Sequence, residues 1–191
     1  MMLLLTANTV VMMAIAIGLW CFAVLPIVFV AHLVLALGIM PLILATMAYF
    51  VPILTRSDNA SRSIDGLAML AWLGGVAIVA SVTVQMEAIS VAFAIIGTLL
   101  SAKAAASLLL WIILRTRSNL GALNPGLACY GAALSILLAG LFVVPLLWLW
   151  PEHRALLRQV HLYANLIGFV GLSAIGTMII LLLSHGADHP G

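Results

Sequence analysis

Three ionisable side chains interrupt long apolar stretches of the sequence: His32, Lys103 and His161. An ionisable group in apolar surroundings costs free energy, so such positions are commonly functional. Two neutral imidazoles, each on its own helix, are the ligand set of a bis-histidine haem, whose iron takes one nitrogen from either side. We therefore expect His32 and His161 to bind metal as the axial ligands of a haem b.

Further polar residues follow the helix face of His161. At about 100° per residue, Arg154 and Arg158 precede His161 on one stripe, and Asn165 and Gly168 continue that stripe. Two arginines near a helix end suit the haem propionates, which point toward water. Asn165 would orient a ligand or bond a neighbouring helix, and Gly168 would let a flat macrocycle approach the backbone. The predicted cofactor site therefore includes all five residues.

Each of these residue types also has a structural explanation. A histidine in a membrane helix is often hydrogen-bonded to a neighbouring helix, and a glycine there is most often a packing contact. Arginines near a helix end usually extend toward the headgroups. Both explanations stay open at the level of the sequence.

Composition determines the setting of these residues. Of the 191 residues, 66% are hydrophobic and 6% are charged, whereas a soluble domain has about 25% charged residues. This excludes a soluble enzyme and a nucleic-acid binder, and it predicts an integral membrane protein in contact with the lipid bilayer. Continuous apolar runs of about 20 residues or more indicate helices rather than a barrel.

Six such runs predict an all-α fold, a polytopic transmembrane bundle of six helices that forms a single domain over residues 1–191. The predicted spans are Leu3–Val24, Ile27–Leu54, Ile64–Val84, Ala88–Leu114, Gly126–Leu149 and Arg154–Ser184. Pro41 lies inside the second span and removes the hydrogen-bond donor of the Leu37 carbonyl, which predicts a kink there.

Arginines set the predicted orientation. The loops after the second and fourth spans hold four of them, Arg56, Arg62, Arg115 and Arg117. The other side holds two, Arg154 and Arg158. The larger set is expected in the cytoplasm, and both termini are then cytoplasmic too. In that orientation His32 lies about 8 Å and His161 about 10 Å below the outer end of its helix, at matched depth.

Two further features hold ionisable groups. Lys103 is about 17 Å from the cytoplasmic end of the fourth span. It is expected either to extend toward the headgroups or to pair with an acid of another subunit, a propionate or a proton path. His185 and His189 have the i, i+4 spacing of a metal pair, but the neighbouring Gly186 and Pro190 favour a frayed terminus.

Two segments resemble a known family. The run His32–Gly38 (HLVLALG), with Val51–Ser57 (VPILTRS), resembles the histidine-bearing second helix of haem-copper oxidase subunit I-like proteins, especially the nitric-oxide-response (NnrS-type) haem-copper membrane proteins. The run His161–Met178 resembles a late helix of those proteins, with AIGTM as the best match. The resemblance implies haem b ligation by His32 and His161, with copper nearby. Such proteins have more spans and a dense histidine cluster, so this chain looks like a short six-span version.

These observations predict a protein of electron transfer or of diatomic-gas (NO or O2) chemistry in a bacterial inner (plasma) membrane. Two filled axial positions favour electron transport, whereas copper at one histidine would leave the haem open to a gas. Two alternatives stay open: a non-catalytic structural subunit of a larger, respiratory-type membrane complex, and a small transporter or channel. A homo-oligomer or an assembly with other membrane subunits is expected, without a nucleic-acid partner.

Overall fold

The computed structural model of the chain describes residues 1–22, 26–118 and 124–186, with the side chains of Ser118 and of residues 183–186 left aside. In this part of the chain, six helices are long and apolar enough to cross a membrane. They are α1 (Met2–Cys21), α2 (Ile27–Thr55), α3 (Arg62–Thr83), α4 (Glu87–Ser118), α5 (Pro125–Leu149) and α6 (151–186). The prediction of six helices is confirmed, and it indicates an integral membrane protein. The orientation of the termini stays a prediction.

The largest difference from the predicted spans is at the end of α4, which continues beyond Leu114. Arg115 on this extra turn holds the loop that follows α2. Its Nη1 donates to the Asp58 carbonyl oxygen at 2.8 Å and also to Ser57 Oγ. Its guanidinium lies over the Trp111 ring, 5.1 Å from the centroid. The predicted basic loop therefore begins as helix, because its first arginine is tied to a neighbouring loop.

The other ends differ less. α6 starts with a 3-10 turn over Pro151–His153 and becomes α-helical at Arg154. The last two residues of the first predicted span, 23 and 24, lie outside the described residues, as do the side chain of His185 and all of His189. The expectation of a frayed terminus rather than a metal pair at His185 and His189 therefore falls outside the described part of the chain.

Two of the six helices contain a stretch of π-helix, in which i→i+5 hydrogen bonds replace the usual i→i+4 bonds. The stretches are Leu33–Ile39 in α2 and Ala164–Gly171 in α6. Each begins within three residues of a histidine that the sequence analysis selected. Such π-helical stretches are rare and often mark functional sites.

The chain forms two compact units. The first consists of Met1–Ala48 and Ala60–Ala105, and the second of Tyr49–Asn59 and Ala106–Gly191.

In the first unit, α1 and α3 both pack against the π-helical stretch of α2. The buried side chains at this contact belong to Ala16, Val30, Leu33 and Leu37. α3 lies very near α2 because Gly75 has no side chain: a Cβ there would be 2.5 Å from the Ala36 carbonyl oxygen. Small residues allow such near contacts between membrane helices, where van der Waals packing favours association.

In the second unit, α5 packs along α6, including its π-helical stretch. Tyr130 of α5 is fully buried there, and its hydroxyl lies 2.9 Å from Thr177 Oγ1 of α6. The Thr177 hydroxyl itself donates to the Ser173 carbonyl oxygen at 2.9 Å, so the tyrosine is the donor of the pair. Gly176 makes room for the ring, since a Cβ would be 3.0 Å from Tyr130 Cδ1.

Candidate functional site

His32 ends the first α-helical part of α2, directly before the π-helical stretch. It is half-buried, next to Leu33 of the apolar core. Its Nδ1 lies 2.7 Å from the carbonyl oxygen of Val28, one turn earlier. A carbonyl oxygen only accepts, so Nδ1 carries the hydrogen, and in the neutral ring the lone pair is on Nε2.

His161 lies in the α-helical part of α6, just before the second π-helical stretch. Its Nδ1 is 2.8 Å from the carbonyl oxygen of Gly140 on α5. The same argument puts the hydrogen on Nδ1 and the lone pair on Nε2. The contact depends on the missing side chain of Gly140, because a Cβ there would be 3.0 Å from Ala164 Cβ.

Asn165 belongs to the surroundings of His161, as the sequence predicts. Its Nδ2 donates to the His161 carbonyl oxygen at 2.7 Å and lies 3.5 Å from each ring nitrogen. It also lies against α5, where a Cβ on Gly140 would be 3.2 Å from it. Asn165 therefore contributes both to the helix contact and to the immediate environment of the ring.

Gly168 has a packing role in this structure. The direction in which a Cβ would project is filled by the Ile136 side chain of α5. The helix widens from Ala164 onward, so the 100° step of the sequence analysis applies only up to that residue. Gly168 is thereby explained without any cofactor.

Arg154 and Arg158 lie on the regular turns of α6 that precede His161, and both are exposed. The spacing i, i+4, i+7 keeps them on the histidine's face of the helix. Arg154 Nε donates to the Leu147 carbonyl oxygen in the last turn of α5 at 3.1 Å. A cation there stabilises the negative end of the α5 dipole.

The α6 stripe is thus brought together with α5 inside the second unit, whereas His32 belongs to the first unit. The pairing of His32 with His161 stays a prediction. In the described part of the chain, no group of three or more His, Cys, Asp and Glu side chains could hold a metal ion.

A polar network that was not predicted from the sequence lies beside the first π-helical stretch. Asn8 of α1 donates from Nδ2 to the Leu37 carbonyl oxygen at 2.9 Å, and Trp72 Nε1 of α3 donates to Asn8 Oδ1 at 3.3 Å. The hydroxyl of Thr9 lies 2.9 Å from the Gly38 carbonyl oxygen. The signal was present in the sequence, since adjacent Asn and Thr inside an apolar span need partners.

Comparison of the chain with protein-family models, with curated proteins and with solved structures found no match.

Proposed function

We propose that this chain is a membrane haem protein in which His32 and His161 are the two axial ligands of a haem b. A bound haem supplies a one-electron iron couple, and two filled axial positions favour electron transfer over substrate binding. The resemblance of both histidine segments to haem-copper membrane proteins supports the same assignment.

The observation that carries the proposal is the hydrogen bonding of the two imidazoles. Each donates Nδ1–H to a backbone carbonyl, of Val28 and of Gly140 respectively. Histidine ligands of metals almost always donate their other ring N–H in this way, because it fixes the tautomer and the ring orientation. Nε2 is then the ligating nitrogen in both residues.

Other residues of α6 have supporting roles in this proposal. Arg154 and Arg158 are exposed on the face of His161 and would pair with the haem propionates. Asn165 holds the His161 turn through the carbonyl hydrogen bond, which keeps the ring in place. Gly168 is not needed, because Ile136 of α5 fills its open side.

A variant of the proposal assigns copper to one of the two histidines. The haem would then have an open axial position, and the chain would bind a diatomic gas such as NO or O2. The resemblance supports this variant, whereas the matching hydrogen bonds of both rings support the bis-histidine form.

The second candidate function is that of a non-catalytic subunit in a larger membrane complex of bacterial inner-membrane type. The observation in its favour is the exposed Lys103 in the middle of α4, a charged side chain on an apolar helix face.

The visible spectrum of the purified protein, expressed with haem supplied, tests the first proposal. We expect a Soret band and a low-spin electron paramagnetic resonance signal in the wild type. His32→Ala and His161→Ala should each lose the low-spin signal, because each removes one axial nitrogen. His153→Ala is the matched control, since His153 is exposed in the 3-10 turn beside Glu152.

A colourless wild type would overturn the haem assignment. A low-spin signal that survives both substitutions would move the ligands to other residues. Loss with only one of the two would contradict the bis-histidine form and favour the copper variant.

A further inference from the structure

Lys103 occupies the middle of the longest spanning helix, α4 (Glu87–Ser118). At 1.5 Å per residue it lies about 24 Å from the first residue and about 22 Å from the last. The end of the helix is farther from Lys103 than predicted, because α4 extends beyond Leu114 to Ser118. The side chain is exposed, and no ion pair or hydrogen bond is found for it within the described residues.

The lysine lies in the centre of an exposed apolar face, defined here as the Lys103 face. The apolar members one and two turns away are Ile96, Leu99, Ala106 and Leu110. Three of these residues are largely exposed: Ile96 is 49%, Leu99 63% and Leu110 57% accessible. Lys103 is therefore the single charged residue of an otherwise lipid-compatible surface.

The packing on the other side of α4 fixes this orientation. Gly97 and Ser101 face α3, and a Cβ on Gly74 would lie 2.5 Å from Ser101 Oγ and 2.9 Å from the Gly97 carbonyl oxygen. Ser101 is only 1% exposed. Rotation of α4 to bury Lys103 would separate these closely packed residues, so the lysine stays on the outer face.

A lysine at this depth has no route to water. Half of the hydrocarbon core is about 15 Å thick, and a lysine side chain extends about 6 Å from its Cα. The ammonium therefore ends well inside the apolar layer, where a charged group without a counter-charge is costly. Something other than lipid tails must meet it.

Within the described residues, the chain has no carboxylate at that depth. Asp58 lies in a loop, and Asp65, Glu87 and Glu152 each lie in the first turn of a helix. A second copy paired through the same face would bring lysine against lysine in a parallel or an antiparallel pair. Among the described residues, no acidic group is placed to meet Lys103, which points to a complementary charge on another molecule.

We propose that the Lys103 face is the docking site for a transmembrane helix of a different chain, one that carries an Asp or Glu near the middle of the membrane. An ion pair between the two helices lowers the cost of both charges, since each is costly in lipid alone. The apolar neighbours of Lys103 provide the packing surface around that pair. This proposal is independent of the haem.

The test uses the full chain in lipid vesicles and a designed single-span peptide as the probe. The peptide is a Leu/Ala helix with one central residue, Asp, Asn or Leu, and it carries an acceptor dye. The protein carries the donor dye on the exposed Cys21, with Cys129→Ser in every sample. Energy transfer against peptide-to-lipid ratio gives the association constant, and we expect about tenfold tighter association for Asp than for Leu.

Three variants make the result specific. Lys103→Met keeps the length of the side chain and removes its charge. The three peptides should then associate with the protein equally strongly. Lys103→Arg keeps the charge and should keep the preference for Asp. Ala106→Met is the matched control on the same face, since it changes the surface but not the charge, and it should keep the preference as well.

Two results would overturn the proposal. Equal association of the Asp and Leu peptides with the wild type would mean that lipid or bound water covers the lysine. Stronger energy transfer between two labelled copies of the protein than to the Asp peptide would make a second copy the occupant.

Discussion

Asn8 shows how one polar residue in an apolar span is explained by a residue far away in the sequence. Pro41 has no N–H, so the carbonyl of Leu37 one turn earlier loses its usual donor. The Asn8 side chain takes over that donor function at 2.9 Å. In lipid an unpaired carbonyl is costly, so the proline and the asparagine form a compensating pair.

This pairing gives a prediction for stability. Asn8→Leu should lower the free energy of unfolding by about 1 kcal/mol, because the Leu37 carbonyl is left without a donor. In a Pro41→Ala background a backbone N–H is restored, and the same substitution should cost less, with a coupling of about 0.5–1 kcal/mol. Denaturant titration of the purified protein, followed by helix content, measures all four members of the cycle.

Thr6→Val is the control for this cycle. Thr6 is exposed, and its hydroxyl donates within its own helix to the Met2 carbonyl oxygen at 3.0 Å. This substitution should change the free energy of unfolding by no more than about 0.5 kcal/mol. An Asn8→Leu cost that is the same in both backgrounds would contradict the compensation by Asn8. The hydrogen bond to Trp72 does not disturb this reading, because both backgrounds lose it.

At this scale the sequence predicted partners only where they were neighbours on one helix. Asn165 is four residues from His161, so the 3.6-residue period brought the two together correctly. Gly140 and Asn8 contact their partners across helices, and the period of one helix contains no information on its neighbours. The tautomer of His161 therefore depends on a contact that only the structure reveals.

Among the helices, glycine determines which pairs approach most nearly. Gly75→Ala in α3 should lower the free energy of unfolding by about 1–3 kcal/mol, because the new Cβ overlaps a backbone that has no room to move. That backbone is the Ala36 carbonyl, 2.5 Å from the Cβ position. Thermal or denaturant unfolding of the purified variant measures the loss.

Gly66→Ala is the matched control on the same helix. Nothing lies within 4 Å of its Cβ position, so alanine should stabilise α3 by up to about 1 kcal/mol through its helix propensity. If the two substitutions had the same effect, helix propensity rather than the contact with α2 would explain the role of Gly75.

The elements themselves were largely predictable. Apolar length alone gave six helices, since a span needs about 20 residues and each run had them. The two π-helical stretches were not predicted. Pro41 indicated a distortion in α2 but not its π-helical form, and in α6 no proline follows Ala164–Gly171 to indicate one. The end of α4 was predicted four residues too early, because a basic loop was expected where the helix continues to Ser118.

For the whole molecule, the arginine distribution makes the orientation a testable matter. Four arginines lie near the ends of α2 and α4, and two lie near the start of α6, on the opposite side of the predicted membrane. The positive-inside rule places the larger set in the cytoplasm. Neighbouring loops then alternate between the two sides. Ser61 before α3 and Gln85 after α3 are both exposed, so they report on opposite faces.

Each position is replaced by cysteine in a Cys21→Ser, Cys129→Ser protein, and intact cells are treated with a membrane-impermeant maleimide. Gln85→Cys should be labelled and Ser61→Cys should be protected until the cells are opened, because the loop with Arg56 and Arg62 is predicted to be cytoplasmic. Replacing Arg56 and Arg62 by Gln leaves two arginines on each side, and labelling of both positions in part of the molecules is then expected. Labelling of Ser61→Cys alone in intact cells would reverse the orientation and place both predicted haem ligands near the cytoplasmic surface. If the chain binds haem as proposed, electrons would then enter from the cytoplasm, and this measurement would decide on which side a redox partner is sought.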